Sequence, residues 1–264
     1  MKNTQRRELA ICGLESVRAL AARRPDSVKR FFYAEERARE FGKLCARLSV
    51  LRRPYKRVSP DELEKLSGTS HHQGVVAMMD DELPAHVTDD LADSWAKNGA
   101  RIVVLDRVGD DHNLGSIARS AAFFGWQALV LGRDDGGARL TTSAYRVARG
   151  ALEHLPVYTD ESAARFLARC AAASARSGSP IPTIGADHRG ARTLREARVP
   201  FAATTATAAL AAALVLGNEE TGLSSVVRDA CTQLVRIDGS GAVESLNVSQ
   251  AAAVFLYELA PPRP

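Results

Sequence analysis

Cysteine is scarce in this chain: Cys12, Cys45, Cys170 and Cys231 are spread over 264 residues. None belongs to a C-x-x-C pair or lies near a pair of histidines, which argues against a disulfide framework and a zinc site, and no metal is expected. Long hydrophobic runs are also missing. The longest uncharged apolar stretch, Phe201 to Leu216, has 16 residues and includes Thr204, Thr205 and Thr207, short of the roughly 20 that span a bilayer. It reads as buried core. Glu8 and Glu15 interrupt the N-terminal stretch where a secretion signal needs an unbroken apolar segment, so a cytoplasmic protein without a membrane partner is expected. There is no G-x-x-x-x-G-K-[ST] motif, which excludes a P-loop. Gly239 to Glu244 begins like a dinucleotide fingerprint, but Glu244 occupies the third glycine position and 20 residues after it leave no room for a second strand.

What is present is an ordinary globular composition, with 45% hydrophobic residues, 25% charged residues, 19 Gly and 11 Pro. The length suits two domains or one large one. Net charge is only +4, yet residues 1 to 80 hold 17 Lys and Arg against 10 Asp and Glu. The basic excess therefore lies in the first third. Lys43 to Arg57 has six basic residues and no acid, with Tyr55 between Arg52/Arg53 and Lys56/Arg57. That pattern fits a polyanion partner, RNA or DNA, and equally a solvated helix face followed by a loop.

Residues 5–23 and 34–49 are predicted as helices, and 29–33, 50–51 and 75–79 as short strands. Ser59, Pro60, Glu62 and Gly68 punctuate a short helix between them. Residues 1–80 thus form a small α/β module, and the acidic stretch 81–98 reads as a linker with room for a short helix. From residue 99 to 264 apolar runs at 101–106, 128–132, 181–187, 213–219 and 233–238 alternate with helical segments near 114–124, 142–149, 160–176, 223–229 and 247–258. This alternation predicts a parallel sheet covered on both faces, whose ligands collect at the loops after the strands.

Three of those loops carry suitable chemistry. In DRVGDDHNLGSIARS, Asn113 suits a helix cap and Arg119 lies six residues on, where it can meet an anion; an ordinary capped helix with a surface Arg fits as well. In LVLGNEETGLS, backbone at Leu216 and Gly217 can line a small-molecule pocket with Glu219 beside it, or the same residues make a turn and helix-entry acids. In VESLNVSQ, Ser245 and Asn247 suit helix capping or ligand contacts.

Taken together, these segments resemble the SpoU, or TrmH-like, family of S-adenosylmethionine-dependent RNA ribose 2′-O-methyltransferases of the SPOUT superfamily. LDRVGDDHNLGSIARSAAFFG, LVLGNEETGLS and VESLNVSQAAAVFLYE match its three motifs in order, and RGALEHLPV its central signature. CGLESV and HHQGVVA resemble the small ribosomal-protein-like RNA-binding domain often fused ahead of it. The resemblance implies an α/β fold with a trefoil-knotted, mostly parallel sheet, flanking helices and a homodimer. It implies S-adenosylmethionine held at Leu216, Gly217, Ile237 and Leu246, with Arg119, Asn113, Glu219, Ser245 and Asn247 as catalytic and RNA-positioning residues. Methyl transfer to a ribose 2′-hydroxyl of tRNA or rRNA is the expected activity, and Arg52, Arg53, Lys56 and Arg57 the expected RNA contacts. Ile237-Asp238-Gly239 departs from the family's usual Ile-Pro-Met. A bulky residue at Gly217 is expected to fill donor space in a folded protein. The alternative is a non-catalytic RNA-binding or ribosome-assembly protein that keeps the fold; the intact polar set argues against it.

Overall fold

The computed structural model describes residues 7–133, 137, 139–197 and 210–261. Two compact units share the chain: Met1–Leu83 with Arg139–His154, and Pro84–Ala138 with Leu155–Pro264.

Unit 1 is built from β1 (Glu8–Cys12), α1 (Leu14–Arg23), β2 (Val28–Tyr33), α2 (Gly42–Val50), β3 (Tyr55–Arg57), α3 (Pro60–Ser67) and β4 (Val75–Asp80). Its sheet runs β1-β4-β2-β3; β4 is antiparallel to both β1 and β2, whereas β3 is parallel to β2. The helix predicted over 5–23 is corrected here. Gly13, at φ 91°, breaks it, and residues 8–12 become a strand because their apolar side chains are buried against β4 and the helices. A glycine takes that left-handed conformation without steric cost, so strand and helix meet there in a single turn. Likewise the helix begins at Gly42 rather than 34, and Val50, predicted as strand, ends it. α3 follows its punctuation: the Ser59 hydroxyl accepts from Glu62 N at 3.3 Å, and Gly68 closes the end at φ 72°.

Unit 2 begins inside the stretch read as a linker. β5 (Ala85–His86) and α4 (Asp89–Lys97) belong to its body. Trp95 of α4 is buried among Tyr158 and Phe166, and Arg176 pairs with Asp93 at 2.7 Å. An amphipathic face with an aromatic anchor, not acidity, decides the fate of this segment. The unit continues with β6 (Arg101–Asp106), α5 (Asp111–Phe123), β7 (Ala128–Gly132), β8 (Val157–Asp160), α7 (Ala163–Ser177), β9 (Thr183–Ala186), β10 (Arg192–Thr193), β11 (Ala212–Gly217), α8 (Ser225–Ala230), β12 (Gln233–Arg236) and α9 (Val248–Glu258). α6 (Thr142–Ala148), between β7 and β8 in sequence, belongs to unit 1.

The second sheet has the order β10-β12-β9-β11-β6-β7-β8-β5, and each neighbouring pair is parallel. β6, β7 and β11 are buried along their whole length, as expected of strands covered on both faces; burying each such aliphatic side chain is worth about 1.5–3 kcal/mol. Residues 201–209 of the apolar stretch lie outside the described residues, and its remainder enters β11. Cys12 and Cys170 are fully buried, and burial pushes their thiols up to about 11 and about 12, leaving them protonated and inert. Among the described residues no helix is long and apolar enough to cross a membrane.

Candidate active site

The loops after β9, β11 and β12 surround one cavity of about 700 Å³ in unit 2. Leu216 and Gly217 end β11 on its wall, Ile237 follows β12, and Ser245 and Leu246 close the remaining side. These are carboxyl ends of parallel strands, where side chains of several loops converge on one space. Residues 238–247 are exposed throughout, so the wall they form stands open to solvent.

Behind the cavity runs a chain of hydrogen bonds. Glu219, the second residue after β11, accepts from Asn113 Nδ2 at 2.8 Å, from Gly109 N at 3.1 Å and from Asp110 N at 3.3 Å. Asn113 is buried, and its Oδ1 accepts from Asn247 Nδ2 at 3.2 Å. Burial alone would raise the Glu219 carboxyl, but the Asn113 amide and the backbone donors outweigh it and hold the group below the usual carboxylate range. At neutral pH Glu219 is therefore ionised and acts only as an acceptor. Asn247 does two jobs at once: its Oδ1 caps α9 by accepting from Ser249 N at 2.8 Å, while its amide nitrogen reaches Asn113.

The structure thus brings together Asn113, Glu219 and Asn247 as one network, and Leu216, Gly217, Glu219, Ile237, Ser245 and Leu246 around one cavity. Arg119 stands apart. It is exposed on α5, does not line the cavity, and makes no hydrogen bond or ion pair among the described residues. Asn113 is not the cap of that helix, as its sequence position suggested. Asp110 is, through a 2.8 Å bond from His112 N, which releases Asn113 to face Glu219.

Two readings change on closer geometry. A Cβ on Gly217 would lie 2.7 Å from Gly222 O and closer still to Gly222 C and Leu223 N. Gly217 is thus required by the turn folding back on it, and a bulky residue there displaces backbone before it reaches any ligand space. In unit 1, Arg53 donates to the Asp26 and Val28 carbonyls and Arg57 pairs with Glu35. The Arg53 guanidinium holds the start of β2, the Arg57–Glu35 pair is exposed on both sides, and Arg52 and Lys56 stay exposed and unpaired among the described residues.

Sequence reasoning passed over Asn218. Its Nδ2 donates to the Arg107 carbonyl at 2.9 Å, and its Oδ1 accepts from Glu220 N and Thr221 N, each at 3.0 Å. Arg107 has φ 56°, uncommon for a residue other than glycine, so Asn218 secures a bend in the loop after β6. Asp106 was also missed. Fully buried at the end of β6, it accepts from Ser224 N at 2.7 Å. The available signal was a carboxylate closing an otherwise apolar strand. Asp187 after β9 is a third: it forms an ion pair with Arg228 at 3.0 Å, and both residues line the cavity. Among the described residues no cluster of three His, Cys, Asp or Glu side chains could hold a metal ion.

Residues 100–257 match the SpoU rRNA methylase family model, and residues 10–83 match the model for RNA 2′-O ribose methyltransferase substrate binding. A 23S rRNA (guanosine-2′-O-)-methyltransferase, RlmB, of Bordetella pertussis is 32% identical over 251 residues, covering 94% of this chain and 95% of that protein. Its counterpart in Acinetobacter baylyi is 33% identical, covering 93% and 94%. The crystal structure of the SpoU methyltransferase AviRb from Streptomyces viridochromogenes, in complex with AdoMet, superposes with a TM-score of 0.73 at 26% identity, covering 97% of this chain and 91% of that one. The chain belongs to the SpoU rRNA methylase family, with that family's RNA substrate-binding domain ahead of the methylase region.

Proposed function

We propose that the chain transfers a methyl group from S-adenosylmethionine to a ribose 2′-hydroxyl of ribosomal RNA. The observation that carries this is the Asn113–Glu219–Asn247 network set directly behind a cavity of about 700 Å³, a volume in the range of small-molecule sites. The residues fit the donor. Leu216, Ile237 and Leu246 offer apolar wall and backbone edges, and Glu219 a carboxylate for a cationic group. S-adenosylmethionine supplies the methyl group on a sulfonium, so no metal is needed to activate it. What remains for the protein is positioning and lowering the hydroxyl's pKa. Ser245 and Asn247 orient the ribose, Asn113 sets the angle of Asn247, and Glu219 fixes Asn113. Arg119 holds the adjacent phosphate and favours the alkoxide electrostatically; with a pKa above about 12 a guanidinium is a poor base. The knotted path that the family resemblance implies is part of this proposal. Calorimetry with S-adenosylmethionine, followed by mapping of 2′-O-methyl positions in 23S rRNA incubated with both, tests the reading. Donor binding and a new methylated ribose are expected. A folded protein that binds no donor would leave the non-catalytic assembly role instead.

We infer also that the enzyme works as a homodimer. Phe123 and Tyr257 are 80% and 58% exposed, and with Phe124 they form an aromatic cluster joining α5 to α9. An exposed patch of this kind marks an interaction site. Arg119 lies four residues before Phe123, on the same face of α5, so a second copy seated here would give this isolated arginine its surroundings. Phe123→Glu is expected to yield monomers by light scattering and to lose methyl transfer. A dimeric Phe123→Glu protein would place the interface elsewhere.

For the basic segment of unit 1, Arg52 and Lys56, with Tyr55 between them on an edge strand, are the phosphate contacts. Arg53 supports the strand, and Arg57, exposed in a surface pair with Glu35, can exchange that partner for a phosphate. Replacing Arg52 and Lys56 by glutamine should weaken RNA binding and lower its salt dependence by about one to two phosphate contacts, leaving donor affinity unchanged. An unaltered salt slope would exclude them.

A further inference from the structure

The segment between β7 and β8 lies within the methylase family region, yet residues 139–154 fold as part of unit 1. Ala144, Tyr145, Ala148 and Leu152 are buried there. The Tyr145 carbonyl accepts from Ser16 Oγ at 2.7 Å. Gly150, at φ 90°, lets α1 approach so closely that a Cβ would lie 2.8 Å from Ala19 Cβ. Glu153 is the segment's single acid, and Arg24 holds it in a fork of 2.7 and 2.8 Å bonds with its side chain almost wholly buried. Of the segment's three arginines, Arg146 lies in the last turn of α6 and Arg149 at its C-cap. Neither has a hydrogen bond or an ion pair among the described residues.

Around Arg146 there are donors to spare. The Arg146 stem lies against Gly13, whose bare Cα faces Arg146 Cγ and Gln73 Oε1; a Cβ there would be 3.6 and 3.5 Å from them. Gln73, itself at φ 53°, spends its amide oxygen on Leu14 N at 2.8 Å, and its two amide N–H donors meet no acceptor among the described residues. Arg37 adds a further guanidinium, anchored by the Gln73 carbonyl at 3.2 Å. The acids nearby already have partners: Glu40 pairs with Arg18 and with Arg37, Glu15 of α1, whose carbonyl would lie 2.9 Å from a Cβ on Gly150, pairs with Arg18, and Glu36 lies beside Arg37 at Gly74. A helix dipole favours basic residues in the last turn and at the C-cap of α6; it does not account for an amide with only donors to offer beside Arg146.

We propose that Arg146 and Arg149, with the Gln73 amide, form a phosphate-docking surface for the substrate RNA, distinct from the Arg52 and Lys56 strand. Spare donors beside an arginine whose stem is held in place, as Arg146 is, fit an RNA backbone, since a guanidinium can bridge two phosphate oxygens. The inference rests on the RNA-methylation reading. It implies that the methylase region contributes its own RNA contacts to the substrate-binding unit.

The test uses the full chain and a bacterial 23S rRNA transcript. Arg146→Gln/Arg149→Gln is expected to bind the transcript about tenfold or more weakly, with a salt slope reduced by about 1 to 2. Melting temperature and S-adenosylmethionine affinity should match wild type, and Arg146→Lys/Arg149→Lys should recover much of the slope. Wild-type RNA affinity and slope in the Gln variant would overturn the surface while leaving the methylation reading intact. A wild-type protein that neither binds nor methylates the transcript would overturn both.

Discussion

Arg119→Ala is expected to bind S-adenosylmethionine as wild type does and to transfer its methyl group on the order of 10² to 10³ times more slowly, the usual cost of losing one preorganised charge at a reacting centre. The separation follows from position. Arg119 lies outside the cavity wall, and no other described residue depends on it for a hydrogen bond, so its removal disturbs neither donor site nor fold. Arg119→Lys sharpens the result. Lysine keeps the charge and loses the planar fork that fixes a phosphate in one orientation, so turnover should stay badly impaired even where RNA affinity recovers. Single-turnover methylation at saturating RNA and donor measures this. Near wild-type rates for either variant would remove Arg119 from the reacting centre.

Gly217→Val should damage stability and donor binding together. Its side chain would enter backbone at Gly222 and Leu223, so the 218–222 turn must move, and Asn218 and Glu219 with it. Overpacking of this kind costs about 1–3 kcal/mol, occasionally more, and here the displaced atoms are the cavity wall itself. Gly222 makes the contrast. It sits at φ 68° with open space where its Cβ would be, and asparagine accepts that conformation. Gly222→Asn is expected to melt close to wild type and keep its donor affinity. A Gly217→Val protein with unchanged melting temperature would show that the turn yields more easily than its packing indicates.

The sequence patterns were most informative where burial is two-sided. RIVVLD and ALVLG became β6 and β7 because no other placement hides an unbroken apolar run so completely, and the loops after such strands are where the site residues gather. Local pattern failed where tertiary contacts decide. Residues 8–12 have a composition compatible with either helix or strand, and only pairing with β4 selects the latter. The candidate residues could be named from three motifs, but the hydrogen bonds that tie them together could not. Glu219 reaches Asn113 across 106 positions of sequence. Asn218, which secures the same turn, looks like simple loop punctuation until its partner, a carbonyl in another loop, is known.

The return of residues 139–154 to unit 1 bears on how such proteins can be recombined. A graft of residues 1–83 onto another methylase would arrive without Tyr145, Ala148 and Leu152, leaving α1 with an uncovered apolar flank and Arg24 without Glu153. A truncation that begins at residue 90 would strand the same side chains in water. The exchangeable module is discontinuous: two pieces of chain must travel together, and a swap that respects both junctions keeps intact the surface on which the incoming domain folds.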